Sequence, residues 1–421
     1  MSSHVLSKRA SQTIRDLDTP WRFAPAATYD PDTNPDGLIS FGLAENKLVD
    51  RELQEFARHV TIPAQAFSYA YSSGGGPELP AAMARHLNEY FSPFKPLDGS
   101  EISISGTATA MHEIIGWAVG EPGDCILTSR PVYGRFELDF GNKAELNVGY
   151  ADTDPDSSFD SSVVQKFEEA LAGASKAGRV IRALLIVNPN NPLGRCYPRD
   201  TLVALMKFCQ KHSIHFISDE VYGCSVYNSS HPTLPPFTSA LSIDPAGIID
   251  TDLLHVTYGL SKDFGAAGLR VGALVTRSQA MHRAVKSVTR FHNVSGPSVA
   301  IAAAMLNDRA WCRGFIDKAR TRMAAAYKHV TEALDAMEIK YVSANAGFFV
   351  YVDLSPYLKK GSSPGQEDPD FAIARKLMDA GVFLHPLEEH GPSGWFRVVF
   401  TQDPRTVTEG LRRLKAVVRP C

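Results

Sequence analysis

Short apolar runs alternate along most of the chain with longer stretches whose apolar residues recur every three or four positions. The runs Cys125–Thr128, Ala183–Val187, His215–Ser218, Leu253–Thr257 and Val271–Val275 predict buried strands. Ala110–Val119, Met281–Arg290, Val299–Leu306 and a long stretch from about Ala319 to Met337 carry helical spacing. This alternation predicts an α/β fold: a mainly parallel sheet sandwiched by helices. A smaller α+β unit is predicted from Gly347–Val352 (strand), Phe371–Ala380 (helix) and Trp395–Phe400 (strand). The expected division is an N-terminal arm over residues 1–50 that packs on the smaller domain, a large domain over 51–310 and a small C-terminal domain over 311–421. Lys359–Asp370, rich in Gly, Ser, Pro and acidic residues, is expected to be an exposed loop.

Two predicted strands run into residues with chemistry. Arg182–Val187 leads into Asn188-Pro-Asn-Asn191-Pro-Leu-Gly194, a turn-rich segment that can aim an amide from a strand end. His215–Ser218 leads into Asp219-Glu-Val-Tyr222. A carboxylate at the C-terminal end of a buried strand faces the crevice where open α/β sheets bind ligands. Further on, Tyr258-Gly-Leu-Ser-Lys262-Asp-Phe-Gly265 places a lysine among small residues, and Arg270 follows. A lysine attacks an aldehyde only as the neutral amine, so it needs a partly desolvated site. Pyridoxal 5′-phosphate (PLP) supplies such an aldehyde and a dianionic phosphate that an arginine can neutralise. An Asp can keep its pyridine nitrogen protonated, while Asn191 and Tyr222 can hydrogen-bond the ring's 3′-oxygen. Taken singly, Lys262 and Arg270 would read as two solvated surface charges.

Other segments extend the pattern: Phe41-Gly-Leu-Ala-Glu45-Asn-Lys-Leu48, Ser105-Gly-Thr-Ala-Thr109-Ala-Met-His-Glu113, Pro122-Gly-Asp124, Pro131-Val-Tyr133 and Gly394-Trp-Phe-Arg397. In this order and spacing, from about Phe41 to about Thr401, the chain resembles the fold-type I PLP enzymes of the class I/II aminotransferase family. Within it, the chain is most similar to the 1-aminocyclopropane-1-carboxylate (ACC) synthase-like branch. The resemblance implies that Lys262 forms a Schiff base with PLP and later transfers protons. It implies that Asp219 pairs with the pyridinium, and that Asn191 and Tyr222 hold the 3′-oxygen. Arg270 would bind phosphate together with the Ala108 backbone and the Thr109 hydroxyl at a helix start. Tyr133 would stack on the ring. Arg397 would clamp the carboxylate of an amino-acid substrate, fork to fork, and Asn191 would also bind the substrate. Glu45 would either lie near the substrate side chain or serve a structural role. The resemblance also implies a homodimer with shared active sites, in which Tyr71, or its rival Tyr69, reaches the partner's phosphate.

Three departures stand out. Gly259 occupies the position, three before the lysine, where the family usually has a phosphate-binding serine. Tyr69-Ala-Tyr71-Ser-Ser-Gly-Gly-Gly-Pro-Glu78 has a longer gap between aromatic and proline than the branch's Tyr-His-Gly-Leu-Pro. Val132 and Arg135 differ from the usual Tyr-Tyr-Pro neighbourhood. Arg135 could recognise an anionic substrate group, but the expectation is a surface arginine.

Composition fits an ordinary enzyme. The chain has 421 residues, is 44% hydrophobic and 21% charged, and carries a net charge of −3. It can bury a substantial core, and nucleic acid or an anionic membrane is not expected as a partner. No apolar run reaches transmembrane length, and the N-terminus lacks the apolar core of a secretion signal. The six cysteines show no CxxC pair or metal-like spacing, which fits a reducing cytoplasm. No metal is expected. Three reactions stay open: an ACC synthase-like lyase on an S-adenosylmethionine-type substrate, a C–S β-lyase on cysteine conjugates, and an aminotransferase. A catalytically silent binding protein is the fourth possibility, opposed by the intact Lys262, Asp219, Arg270 and Arg397.

Overall fold

The computed structural model describes residues 5–18, 29–155, 157–229, 231–358 and 367–418. Its strands, in chain order, are β1 (Ile39–Ser40), β2 (Ile102–Ser105), β3 (Cys125–Arg130), β4 (Asn147–Asp152), β5 (Ile181–Val187), β6 (His215–Asp219), β7 (Leu254–Gly259), β8 (Gly272–Thr276), β9 (Phe349–Asp353), β10 (Val382–Phe383) and β11 (Trp395–Val399). The main sheet has seven strands in the order β2-β8-β7-β6-β5-β3-β4. The pairs from β7 through β6, β5 and β3 to β4 are parallel, while β8 runs antiparallel to both β7 and β2. The fold is therefore α/β with a mainly parallel sheet, as the alternation of runs predicts.

The sheet is buried on both faces. In β5, Leu184 and Ile186 join one apolar cluster, whereas Ala183, Leu185 and Val187 join the other. Successive side chains point to opposite faces, so a continuous apolar run is what helices on both sides demand. β2 (Ile-Ser-Ile-Ser) and the partly exposed β4 lack such a run, and neither strand is legible in the apolar pattern.

Two boundaries differ from expectation. The long helix spans Arg309–Asp335, starting ten residues before Ala319. Its buried stripe already includes Cys312, Phe315 and Ile316, and the Asp308 carboxylate caps it by accepting from Trp311 N at 2.9 Å. At about 1.5 Å per residue the helix is about 40 Å long. Of the expected loop Lys359–Asp370, residues 359–366 lie outside the described residues. Its end is a helix, Pro369–Asp379, with Asp368 as cap and Pro369 in the first turn. Asp370 is buried there and accepts hydrogen bonds from Ser393 Oγ and Gly394 N.

Near the C-terminus, β9 pairs antiparallel with β11, and β1 pairs with β10 in parallel. The N-terminal segment thus contributes a strand to elements formed by the last part of the chain. Cys125, Cys196, Cys209, Cys224 and Cys312 are buried free thiols. Among the described residues no helix is long and apolar enough to cross a membrane, and no cluster of metal-ligating side chains occurs.

Candidate active site

β2, β3, β5, β6 and β7 all point their carboxyl ends to one edge of the sheet, and β8 begins there. A cavity of about 670 Å³ opens at this edge, roofed by the turn after β1, the turn after β10, and β11. Ala108 and Thr109 enter it after β2, Tyr133 after β3, Asn191 after β5, and Asp219 and Tyr222 at and after β6. Lys262 follows β7, Arg270 precedes β8, and Glu45 and Arg397 come from the roof. Every candidate residue except the two tyrosines assigned to a partner's site is brought together here.

Lys262 Nζ donates to the Ala44 carbonyl at 2.7 Å. Burial, reinforced by the Arg397 charge, lowers its pKa to about 8. The next residue fixes its loop. The buried Asp263 carboxylate accepts from Cys224 N (2.8 Å), Ser225 Oγ (2.5 Å) and Tyr258 OH (3.0 Å). The lysine turn is thereby tied to the turn that carries Tyr222. Tyr222 is buried, and burial pushes its phenol far up.

Asp219 is buried and accepts from Thr257 Oγ1 at 3.3 Å. Burial raises its pKa, and the nearby His112 opposes that rise. His112 Nε2 lies 3.8 Å from Asp219 Oδ2, and Nδ1 lies 3.2 Å from Asp139 Oδ2. Burial lowers the His112 pKa, but the bond to Asp139 and the charges of both carboxylates outweigh it, leaving it raised. Sequence reasoning missed His112 and Asp139. His112 stands in the segment Ser105–Glu113, one helical turn beyond Ala108, and that position on the inner face was the available signal.

At the other end, the helix Ala108–Val119 points its N-terminus into the cavity, with Thr107 Oγ1 accepting from Ala110 N at 2.8 Å. Arg270 takes a left-handed conformation (φ +53°) and donates to the Ala267 carbonyl. Ser261 lines the cavity beside them. Gly259 has a steric reason: a Cβ there would lie 2.9 Å from Val271 O. Its cross-strand partner Gly272 would place a Cβ 2.0 Å from the Thr107 carbonyl carbon. Gly272 lets the turn before the helix lie flush on the strand, and Gly259 lets the two strands approach.

The donor set fits PLP. A helix N-terminus and an arginine suit a phosphate, a buried acid suits a pyridine nitrogen, and a lysine of lowered pKa lies among these groups. Tyr133 is half-buried and lines the same cavity, its phenol pushed far up by burial.

The roof carries a second set of charges. Arg397 is buried; its Nη1 donates to Asn191 Oδ1 (2.9 Å) and its Nη2 to the Gly42 carbonyl (3.0 Å). Its Nε lies 3.1 Å from the buried Glu389, whose carboxyl burial raises to about 7 against the pull of Arg397. Arg135 is not the expected surface arginine. It lines the cavity, its side chain 16% exposed, and its Nε lies 2.7 Å from Glu388 Oε1. Glu45 also lines the cavity, and its carbonyl accepts from Thr401 Oγ1 at 2.6 Å, so its backbone is anchored while its side chain borders the site. Tyr71 instead lines a separate cavity of about 430 Å³ with Phe56, Pro63 and Ala300, and Tyr69 is 99% exposed.

Fold and site together define a PLP-dependent enzyme. The family described as aminotransferase class I and II matches residues 43–414, and the chain belongs to that family. Its members act on amino acids as small-molecule substrates. The chain is 30% identical over 407 residues to the human 1-aminocyclopropane-1-carboxylate synthase-like protein 1, covering 93% of this chain and 78% of that protein. It is 28% identical over 437 residues to the 1-aminocyclopropane-1-carboxylate synthase of Nicotiana tabacum, covering 99% and 87%. Among solved structures it resembles the Thermus thermophilus aspartate aminotransferase with maleate (TM-score 0.74, 20% identity, 98% and 97% covered). It also resembles an aromatic aminotransferase from Pyrococcus horikoshii OT3 (TM-score 0.74, 21% identity, 90% and 95% covered).

Proposed function

We propose that this enzyme removes the α-proton of an amino acid and then expels a γ-leaving group, as an ACC synthase-type lyase on an S-adenosylmethionine-type substrate. One observation carries the reading: Lys262, Asp219 and Asn191 enter one cavity from neighbouring parallel strands, with Arg397 and Glu45 facing them from the roof. PLP, when bound, supplies an electron sink for the charge that develops at Cα. Arg270, Ala108 N–H and Thr109 would hold its phosphate. Asp219 would keep a proton at the ring nitrogen, Asn191 and Tyr222 would hold the 3′-oxygen, and Tyr133 would pack against the ring. Arg397 still has one N–H on each Nη to offer a carboxylate, because Asn191 and Gly42 each take only one. That fork turns the Cα–H bond toward Lys262, whose neutral amine takes the proton. Glu45 borders the side-chain end, where a carboxylate favours a sulfonium.

The homodimer is part of the proposal: Tyr71, with Tyr69 as its rival, serves the partner's phosphate site, in a cytoplasmic enzyme. The test is a product assay on the PLP-loaded protein. It receives S-adenosylmethionine, an S-substituted cysteine, or an amino acid with a keto acid, in separate reactions. ACC with methylthioadenosine supports the proposal. Pyruvate, ammonia and thiol from the cysteine conjugate would replace it with a C–S lyase, and a new amino acid would replace it with an aminotransferase. Failure to bind PLP at all would revive a silent binding protein.

A further inference from the structure

Two consecutive glutamates each meet one arginine of the cavity. Glu389 faces Arg397, and Glu388 faces Arg135 at 2.7 Å while its other oxygen lies 3.2 Å from His385 Nε2. The Glu388 side chain is 7% exposed, so it is a buried partner and not a passing surface contact. The backbone builds the pair in. Val132 N donates to the Glu389 carbonyl at 2.9 Å, which joins the turn that carries Arg135 to the turn that carries both glutamates. Between them, a Cβ on Gly134 would lie 1.7 Å from the Glu388 carbonyl oxygen, so only glycine permits this approach. Arg135 is thus held against a carboxylate before any substrate arrives.

This matters for what the site accepts. A second carboxylate on a substrate would need an arginine at the side-chain end of the cavity. Beyond Arg397 and Arg270, Arg135 is the arginine that lines the cavity, and its Nε already faces Glu388. An incoming anion would either displace Glu388, leaving that carboxylate buried without its cation, or lie as a second negative charge beside it on one arginine, and both are costly. We propose that Glu388 is a specificity-determining residue: it closes Arg135 to anionic side chains, so the enzyme takes amino acids with uncharged or cationic side chains and rejects dicarboxylic ones. The inference rests on the assignment of Arg397 and PLP above and narrows it to a substrate class.

The test uses the full-length, PLP-loaded protein and two probes. Maleate is an unreactive dicarboxylate whose binding is read by calorimetry. Aminooxyacetate has a single carboxylate, and its capture is read from the absorbance of the bound cofactor. Wild type should capture aminooxyacetate and bind maleate weakly. E388Q should bind maleate at least ~10-fold more tightly, since one released charge-assisted pair is of that order. R135M/E388Q should lose that gain. Should E388Q fail to fold by circular dichroism, E388A carries the same expectation. Equal maleate affinity in wild type and the folded Glu388 variant, or a gain that survives R135M, would overturn the inference. If wild type fails to capture aminooxyacetate, the underlying site assignment fails and this inference falls with it. A positive aminooxyacetate control confines any failure to Glu388.

Discussion

The two ends of the cavity are built by different means. The cofactor end is rooted in the sheet: Asn191, Asp219 and Lys262 each sit at, or within four residues of, the end of a buried parallel strand. The substrate end is assembled from turns and short strands far apart in the chain, and its charges hold one another in pairs. Arg135 and Glu388 are 253 positions apart. A sheet fixes position through its own hydrogen bonds, whereas a roof of turns fixes it through ion pairs. On the function proposed above, chemistry shared by a family sits at the first end, and selectivity at the second.

Substitutions at the two ends should separate along this line. The largest effect is expected for K262A, which removes the amine itself. Turnover should fall by at least ~10³-fold while fold and some PLP binding survive. Unchanged turnover would sink the assignment of the sheet-rooted end. D219A should follow, lowering kcat by about 10²–10³-fold through loss of charge stabilisation. A kcat within threefold of wild type would show that the acid at the strand end is structural. At the other end, R397K should act mainly on KM, weakening kcat/KM by about 10–100-fold, because an ammonium cannot reproduce a planar fork. If kcat falls and KM does not, the roof takes part in the chemistry and the contrast breaks down.

Two pH dependences sharpen the comparison further. In the apo-protein, the neutral form of Lys262 grows as pH rises through about 8, so PLP capture should accelerate across pH 7–9 and level off above that range. A rate still climbing tenfold per unit at pH 10 would place the lysine in an ordinary environment. At the roof, Glu389 has a folded pKa of about 7, above its usual 4.5. A raised carboxyl pKa favours folding while the group is protonated. That contribution is present below about 4.5 and is lost as pH rises to about 7. The urea midpoint of E389Q relative to wild type should therefore increase between pH 4.5 and 7 and stay flat above. A difference that is flat throughout would show that Glu389 does not titrate there.

The same contrast explains what could be read from the sequence. Lys262, Asp219 and Asn191 stand next to apolar runs, so local pattern and local chemistry point to the same place. β5, β6 and β7 are legible because burial on both faces leaves them little but apolar residues. The short β2 and the edge strand β4 face partly polar surroundings and leave no such trace. His112 with Asp139 and Arg135 with Glu388 are pairings between separate segments, and such a pairing has no local signature. Arg135 was expected on the surface for that reason: alone in the sequence it is only a charge. We propose the domain division over 1–50, 51–310 and 311–421, with β1 of the arm pairing with β10 of the last part of the chain.

The glycines at 259 and 272 have a consequence for how this protein can change. A serine at 259 would meet the Val271 carbonyl, and at 272 any side chain would meet the turn of Thr107. G259S should therefore destabilise the fold by about 1–3 kcal/mol and not simply add a phosphate ligand. The serine usual in the family is not one mutation away in any useful sense. The Val271–Gly272 backbone would have to move with it, so this strand spacing and a side chain at 259 exclude each other.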